Sequence, residues 1–135
     1  HNHELSDTNE WILAFGAGPI VTTPTEILQL YNYLFSGEFL SVDSISLMLQ
    51  NMNLWLMDPD GYYGKGIYVI SGLPSGNYLG HSGGYNCFRT CVFYNIEHKI
   101  LVSVFSNCDD NSIEPAMFTL TEKLITLISQ KEYHK

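Results

Sequence analysis

The stretch Asn77–Tyr94, with the sequence NYLGHSGGYNCFRTCVFY, sets a histidine and a serine directly before two glycines. His81 and Ser82 are followed by Gly83 and Gly84, between two runs of strand-like composition. Glycine inside a strand pattern marks a bulge or a place where another backbone or a ligand comes close. Two missing side chains directly after His-Ser open the strand edge. A ligand can then lie against its backbone, and the N–H groups can point at an anionic oxygen, as an oxyanion hole requires. A histidine beside such donors supplies a hydrogen bond or positive potential for a carboxylate. A hydrogen-bonded structural histidine, or a simple bulge, suits the same residues, and on the residues alone these readings stay open.

The rest of a catalytic constellation is not evident. Gly-x-Ser-x-Gly is absent, and so is Ser-x-x-Lys: the residues three before the five lysines are Tyr62, Ile96, Leu120, Ile128 and Glu132. There is no Tyr-x-Asn, and Ser75-Gly76-Asn77 matches Ser-x-Asn only within a tight turn. Asp109 and Asp110 are consecutive in a polar loop and read as solvated. Cys87 and Cys91 share a strand face at about 13 Å, too far for a disulfide. Cys108 could approach one of them across a hairpin, but the odd count argues against a disulfide framework, and small buried hydrophobes is the simpler reading of all three. No Cys/His spacing resembles a zinc site, so no metal or cofactor is expected.

Composition narrows the partners. The 135 residues carry a net charge of −8 with only six Lys and Arg, so nothing neutralises a phosphate backbone and nucleic acid is excluded as an expected partner. No apolar run reaches the roughly 18–20 residues of a transmembrane helix. Hydrophobic residues at 45% and charged residues at 15% fit a globular domain able to bury a core.

The elements that must position HSGG follow from punctuation and periodicity. Thr23 as N-cap, Pro24 at the first helical position and Glu26 three after the cap form a capping box. Ile27, Leu30, Tyr31 and Leu34 then repeat at helical spacing up to Gly37. A shorter helix is predicted from Ser41 to about Asn51. MDPDGYYG reads as a turn, YGKGIYVIS as a strand, LPSGN as a turn, and YLGHSGG and CFRTCVFY as two more strands. NIEHK closes a hairpin into ILVSVFS. A last helix is predicted from about Ile113 to Gln130, with Met117, Leu120, Leu124, Leu127 and Ile128 toward the sheet. The order predicts an α+β single domain: N-terminal helices over about residues 1–52, then an antiparallel meander of about three to four strands and a packed C-terminal helix over about 62–135.

At this level the sequence resembles a known family. AGPIVTTPTEILQLYNYLFSGEFLS is similar to the segment of serine β-lactamase-like hydrolases that precedes a helix, YGKGIYV resembles their YGLGW strand, and GHSGGYNCFRTCVFYNIEHKILVSVFSN resembles their GHxGGxxGF block with its two following strands. The resemblance runs from about Gly16 to the end and points to the class C β-lactamase, D-alanyl-D-alanine carboxypeptidase and esterase branch. It implies that HSGG is the third active-site motif, His-x-Gly in place of Lys-Thr-Gly. His81 would be its basic residue and Ser82 the hydroxyl that hydrogen-bonds substrate. Gly83 would give clearance on the strand, Tyr85 would join Ser82 and Gly83 in binding substrate, and the Gly84 N–H would be one of two oxyanion-hole donors. Cys87 departs from the family, standing where a glycine is usual.

The implied activity is acyl-enzyme hydrolysis of a β-lactam, a D-Ala peptide or an ester. The Ser-x-x-Lys nucleophile and Tyr-x-Asn of the family lie upstream of the resembling segment, so the chain is expected to be a C-terminal part of such a domain and inactive alone. A small-molecule or peptide substrate would bind only with the N-terminal half. The alternative is a non-catalytic binding module on a half-fold. The resemblance implies an extracytoplasmic location, whereas three cysteines favour a reducing compartment. Strand 100–106, without the family's N-terminal strands beside it, is expected to pair with that missing half or with a second copy.

Overall fold

The structure, a computed structural model, describes Gly18 and residues 20–54, 61–85, 87–108, 110 and 112–132. Helix α1 spans Pro24–Ser36. It begins where the sequence indicates: the Glu26 N–H donates to Thr23 Oγ1 at 3.3 Å, and the Thr23 N–H donates back to the Glu26 carboxylate at 2.9 Å. The hydrogen bonds that the Glu26 carboxylate accepts, from the Thr23 N–H first and then from the Thr23 and Thr22 hydroxyls, hold it below its ordinary range. Gly37 ends the helix in the left-handed region at φ 84°, which a residue with a Cβ adopts only at a cost. Helix α2, Val42–Met48, is capped by Ser41, whose Oγ accepts from the Ser44 N–H at 3.2 Å.

The remaining chain builds one open antiparallel sheet in sequence order: β1 (Asn53–Leu54), β2 (Gly61–Tyr63), β3 (Tyr68–Leu73), β4 (Gly76–Tyr85), β5 (Phe88–Asn95) and β6 (Ile100–Ser106). Helix α3, Ile113–Glu132, follows and closes the α+β arrangement. Successive residues alternate faces. One face presents Ile70, Tyr78, Cys91, Phe93, Ile100 and Val102 to Met117 and Ile125 of α3, and this is the buried core. The opposite face meets α1, where the Phe35 ring stacks on Tyr94 at 4.7 Å and the Ser103 hydroxyl donates to the Pro24 carbonyl at 3.1 Å. The sheet is thus the middle of three layers.

Two polar contacts fix the hairpins on either side of β4 and β5. Buried Asn95 donates through Nδ2 to the Ser75 carbonyl at 2.7 Å, and its Oδ1 accepts from the His98 N–H at 2.8 Å. One residue therefore ties the β3–β4 turn to the β5–β6 turn. Glu97 accepts from both the N–H and the Nδ2 of Asn77, at 2.7 and 2.6 Å, across the same end. Buried polar groups without partners would cost about 1–3 kcal/mol each, and among the described residues every buried side-chain N or O has one.

Four local expectations change. YGKGIYVIS is two antiparallel strands rather than one: the chain turns at Gly64, whose N–H donates to the Ile67 carbonyl at 2.8 Å, so Tyr63 pairs with Tyr68. The following turn is only Pro74 and Ser75, because β3 and β4 extend into LPSGN. The inner row of α3 is Met117, Thr121, Ile125 and Ser129, while Leu120, Leu127 and Ile128 are exposed. Burial of that row is possible because the hydroxyls of Thr121 and Ser129 donate to the Met117 and Thr126 carbonyls. Of the three cysteines, all free, only Cys91 is buried. Residues 1–17, the first half of the predicted MDPDGYYG turn (57–60) and Asp109 lie outside the described residues.

Candidate functional site

β4 is longer than β3. Their register ends at Tyr68 opposite Gly80, whereas β4 runs on to Tyr85, paired over those five residues with β5 alone. His81 to Tyr85 therefore form an edge that no strand among the described residues covers on the β3 side. Gly80, just before it, has no room for a side chain: a Cβ there would run into the Val92 carbonyl and stand 2.9 Å from Phe93 Cα. That glycine is a packing requirement, and it sets the height at which His81 emerges.

His81 is held from three sides. Its Nδ1 donates to the Ser82 carbonyl, which only accepts, so in the neutral ring the lone pair lies on Nε2. Nε2 meets the Tyr63 hydroxyl at 3.1 Å. The Tyr68 ring lies nearly parallel to the imidazole, centroids 4.1 Å apart at 18°. Burial raises the Tyr68 phenol above its ordinary value, and a hydrogen bond with the Ser82 side chain opposes that rise.

Ser82 itself donates to Glu114 Oε1 at 2.7 Å. Glu114 stands in the first turn of α3, where a carboxylate is favoured by the helix dipole. Gly83 and Gly84 are exposed, as is Tyr85 at the end of the strand. Their glycine identity answers to their cross-strand neighbours as well as to an open edge. A Cβ on Gly83 would stand 2.9 Å from Thr90 Oγ1, and one on Gly84 would stand 3.0 Å from Arg89 Cδ.

The fold thus brings His81 and Ser82 together with Tyr63, Tyr68 and Glu114, and spreads Gly83, Gly84 and Tyr85 along the strand beyond them. Tyr63 and Tyr68 lie within the YYGKGIY run, yet the hairpin that brings both to His81 is not visible in the periodicity. Glu114 is 32 residues from Ser82 and has no local signal at all. Cys91, directly opposite Ser82 on β5, is fully buried beside Thr121, with Sγ to Oγ1 at 3.7 Å. Burial pushes its thiol up to about 11 against the Thr121 hydrogen bond, so it is protonated and inert at neutral pH.

Among the described residues no group of three or more His, Cys, Asp or Glu is placed to hold a metal ion, and no helix is long and apolar enough to cross a membrane. In comparison with known proteins, no family model matches the sequence and no curated protein matches it either.

Proposed function

We propose that this chain is the C-terminal part of a serine hydrolase of the β-lactamase and DD-peptidase type, in which β4 supplies one wall of the substrate site. The observation that carries the reading is the uncovered edge His81–Tyr85, headed by a histidine and a hydroxyl held in fixed orientations. Substrate would lie along that edge, with Ser82 hydrogen-bonding it and the Gly84 N–H completing an oxyanion hole. The nucleophile must come from a segment carrying Ser-x-x-Lys and Tyr-x-Asn, since acyl transfer needs a nucleophile with a base in reach. Fluorescent penicillin or a fluorophosphonate should leave these 135 residues unlabelled and should label the polypeptide that joins them to such a segment. Labelling of the 135 residues at a serine, or none of the joined protein, overturns the reading.

A second reading is a non-catalytic binding module, and a specific observation favours it: both His81 nitrogens and the Ser82 hydroxyl have partners within the chain. His81→Ala in the joined protein separates the two. A hydrolase loses turnover while keeping its melting temperature, whereas a module in which His81 is structural loses stability.

The same proposal assigns a partner to β6. Among the described residues its outer edge pairs with no strand, and either the upstream half or a second copy of the chain would cover it.

A further inference from the structure

Of the three free cysteines only Cys91 is buried, while Cys87 and Cys108 are exposed. The odd count therefore reduces to one shielded thiol and one accessible pair. The β5–β6 ladder relates the two members of that pair. It runs without a shift from Asn95 opposite Ile100 to Arg89 opposite Ser106, each step back along β5 matching one step forward along β6. Two further steps in the same register bring Cys87 opposite Cys108. Side chains alternate faces with a period of two. These two therefore share the face of Arg89 and Ser106, the last pair of the ladder, and of Cys91 and Val104 before it. Residues opposite one another in an antiparallel pair have Cα atoms about 4.5–5.5 Å apart, inside the roughly 4.4–6.8 Å that a disulfide spans.

We propose that Cys87 and Cys108 are a dithiol–disulfide pair, present here in its reduced form, whose bond clamps the β4–β5 turn to the end of β6. Tyr85 pairs with Phe88, so Cys87 lies in the tight turn that joins β4 to β5. Cys108 lies two residues past Ser106, the last of β6. The bond thus ties the turn that ends the His81–Tyr85 edge to the strand on the other side of β5. Its oxidant is a small-molecule disulfide. One cysteine thiolate attacks it and expels one of its two halves as a thiolate, leaving a mixed disulfide. The other cysteine thiolate attacks the mixed disulfide and expels the second half. One S–S bond forms in the protein as one breaks in the reagent. The two electrons lost by the cysteines pass to the departing thiolates, which take up the two thiol protons. The inference rests on register and exposure, and needs neither hydrolysis nor a ligand on β4.

The test is oxidation of the 135-residue chain without denaturant in a buffer of reduced and oxidised glutathione. Acid stops the exchange, urea exposes the remaining thiols to alkylation, and the tryptic peptides are then mapped. Arg89 and Lys99 lie between the two cysteines, so the bond appears as two peptides joined by a cross-link. Oxidation should leave one alkylated thiol, at Cys91, against three in the reduced chain, with a yield independent of protein concentration. The unfolding equilibrium constant of the oxidised chain should be smaller by on the order of 100-fold, as closing a loop of about 20 residues implies. Cys87→Ser should lose both the cross-link and the stability difference. The same oxidation in urea should spread the bonds over the other pairings. Three free thiols after oxidation of the folded chain, links mainly between Cys87 and Cys91 or between two chains, the same pairing in urea, or no stability difference overturns the proposal.

Discussion

The Tyr63 hydroxyl and His81 Nε2 are 3.1 Å apart, although 18 residues separate them in the chain. Because Nδ1 donates to the Ser82 carbonyl, this contact makes Nε2 the acceptor and Tyr63 the donor in the neutral ring. The first prediction is therefore a tautomer. Long-range proton–nitrogen spectra of neutral His81 should show a protonated Nδ1 and an unprotonated Nε2. Tyr63→Phe should leave the tautomer in place, since the Ser82 carbonyl sets it, but expose Nε2 to water. A neutral ring protonated on Nε2 would contradict the arrangement.

The glycines of GHSGG are not equivalent, and substitution should separate them. Gly80→Ala forces a methyl into backbone and the Phe93 ring, and should cost about 1–3 kcal/mol or more in urea unfolding. Gly83→Ala meets only the Thr90 hydroxyl, which a rotamer change moves aside, and should cost under about 1 kcal/mol. Equal losses at the two positions would mean that the close approach at Gly80 is not what holds β4 against β5.

What could be read in the sequence is what local chemistry dictates. The Thr23–Glu26 capping box, the Gly37 stop and the ILVSVFS strand each depend on near neighbours in the chain, and each stands as expected. The phase of α3 was not legible, because the exposed Leu120 and Leu127 are more hydrophobic than the buried Thr121 and Ser129. Only the helix's own carbonyls, free to accept those two hydroxyls, make the polar row the inner one. In the site, His81 and Ser82 announce themselves, whereas Glu114 reaches Ser82 only because α3 lies across the sheet.

Two acids, the buried Cys91 and the half-buried Tyr31, predict how stability falls with alkali. Burial pushes the Cys91 thiol from 9.0 up to about 11, and the Tyr31 phenol from 10.0 up to about 12. Each is raised, so above its ordinary value the unfolded chain binds fewer protons than the folded one, and stability declines as pH rises. The loss should begin near pH 9 with Cys91 and continue from pH 10 with Tyr31, reaching about 1–3 kcal/mol for the first group. Urea midpoints should be flat from pH 7 to 8 with respect to these groups and fall above 9. Cys91→Ala should remove the early part of the fall. An identical decline in that variant would rule out the thiol as its source.

The last prediction concerns the outer edge of β6. Its seven residues, Ile100–Ser106, carry no charge, and Leu101, Val104 and Phe105 accompany the buried Ile100 and Val102. Natural sheets protect such edges with lysine, proline, a bulge or a cover, because unpaired N–H and C=O groups template another strand. None of the first three is present within β6. Helix α3, which packs against β6, also leaves Leu120, Leu127 and Ile128 exposed. Light scattering across a concentration series should therefore find the chain dimeric at high concentration and dissociating on dilution. Joining it to a segment that supplies the family's N-terminal strands should abolish the dimer, since one edge cannot pair twice. A chain that stays monomeric at the highest concentration tested would show that the edge is not open in solution.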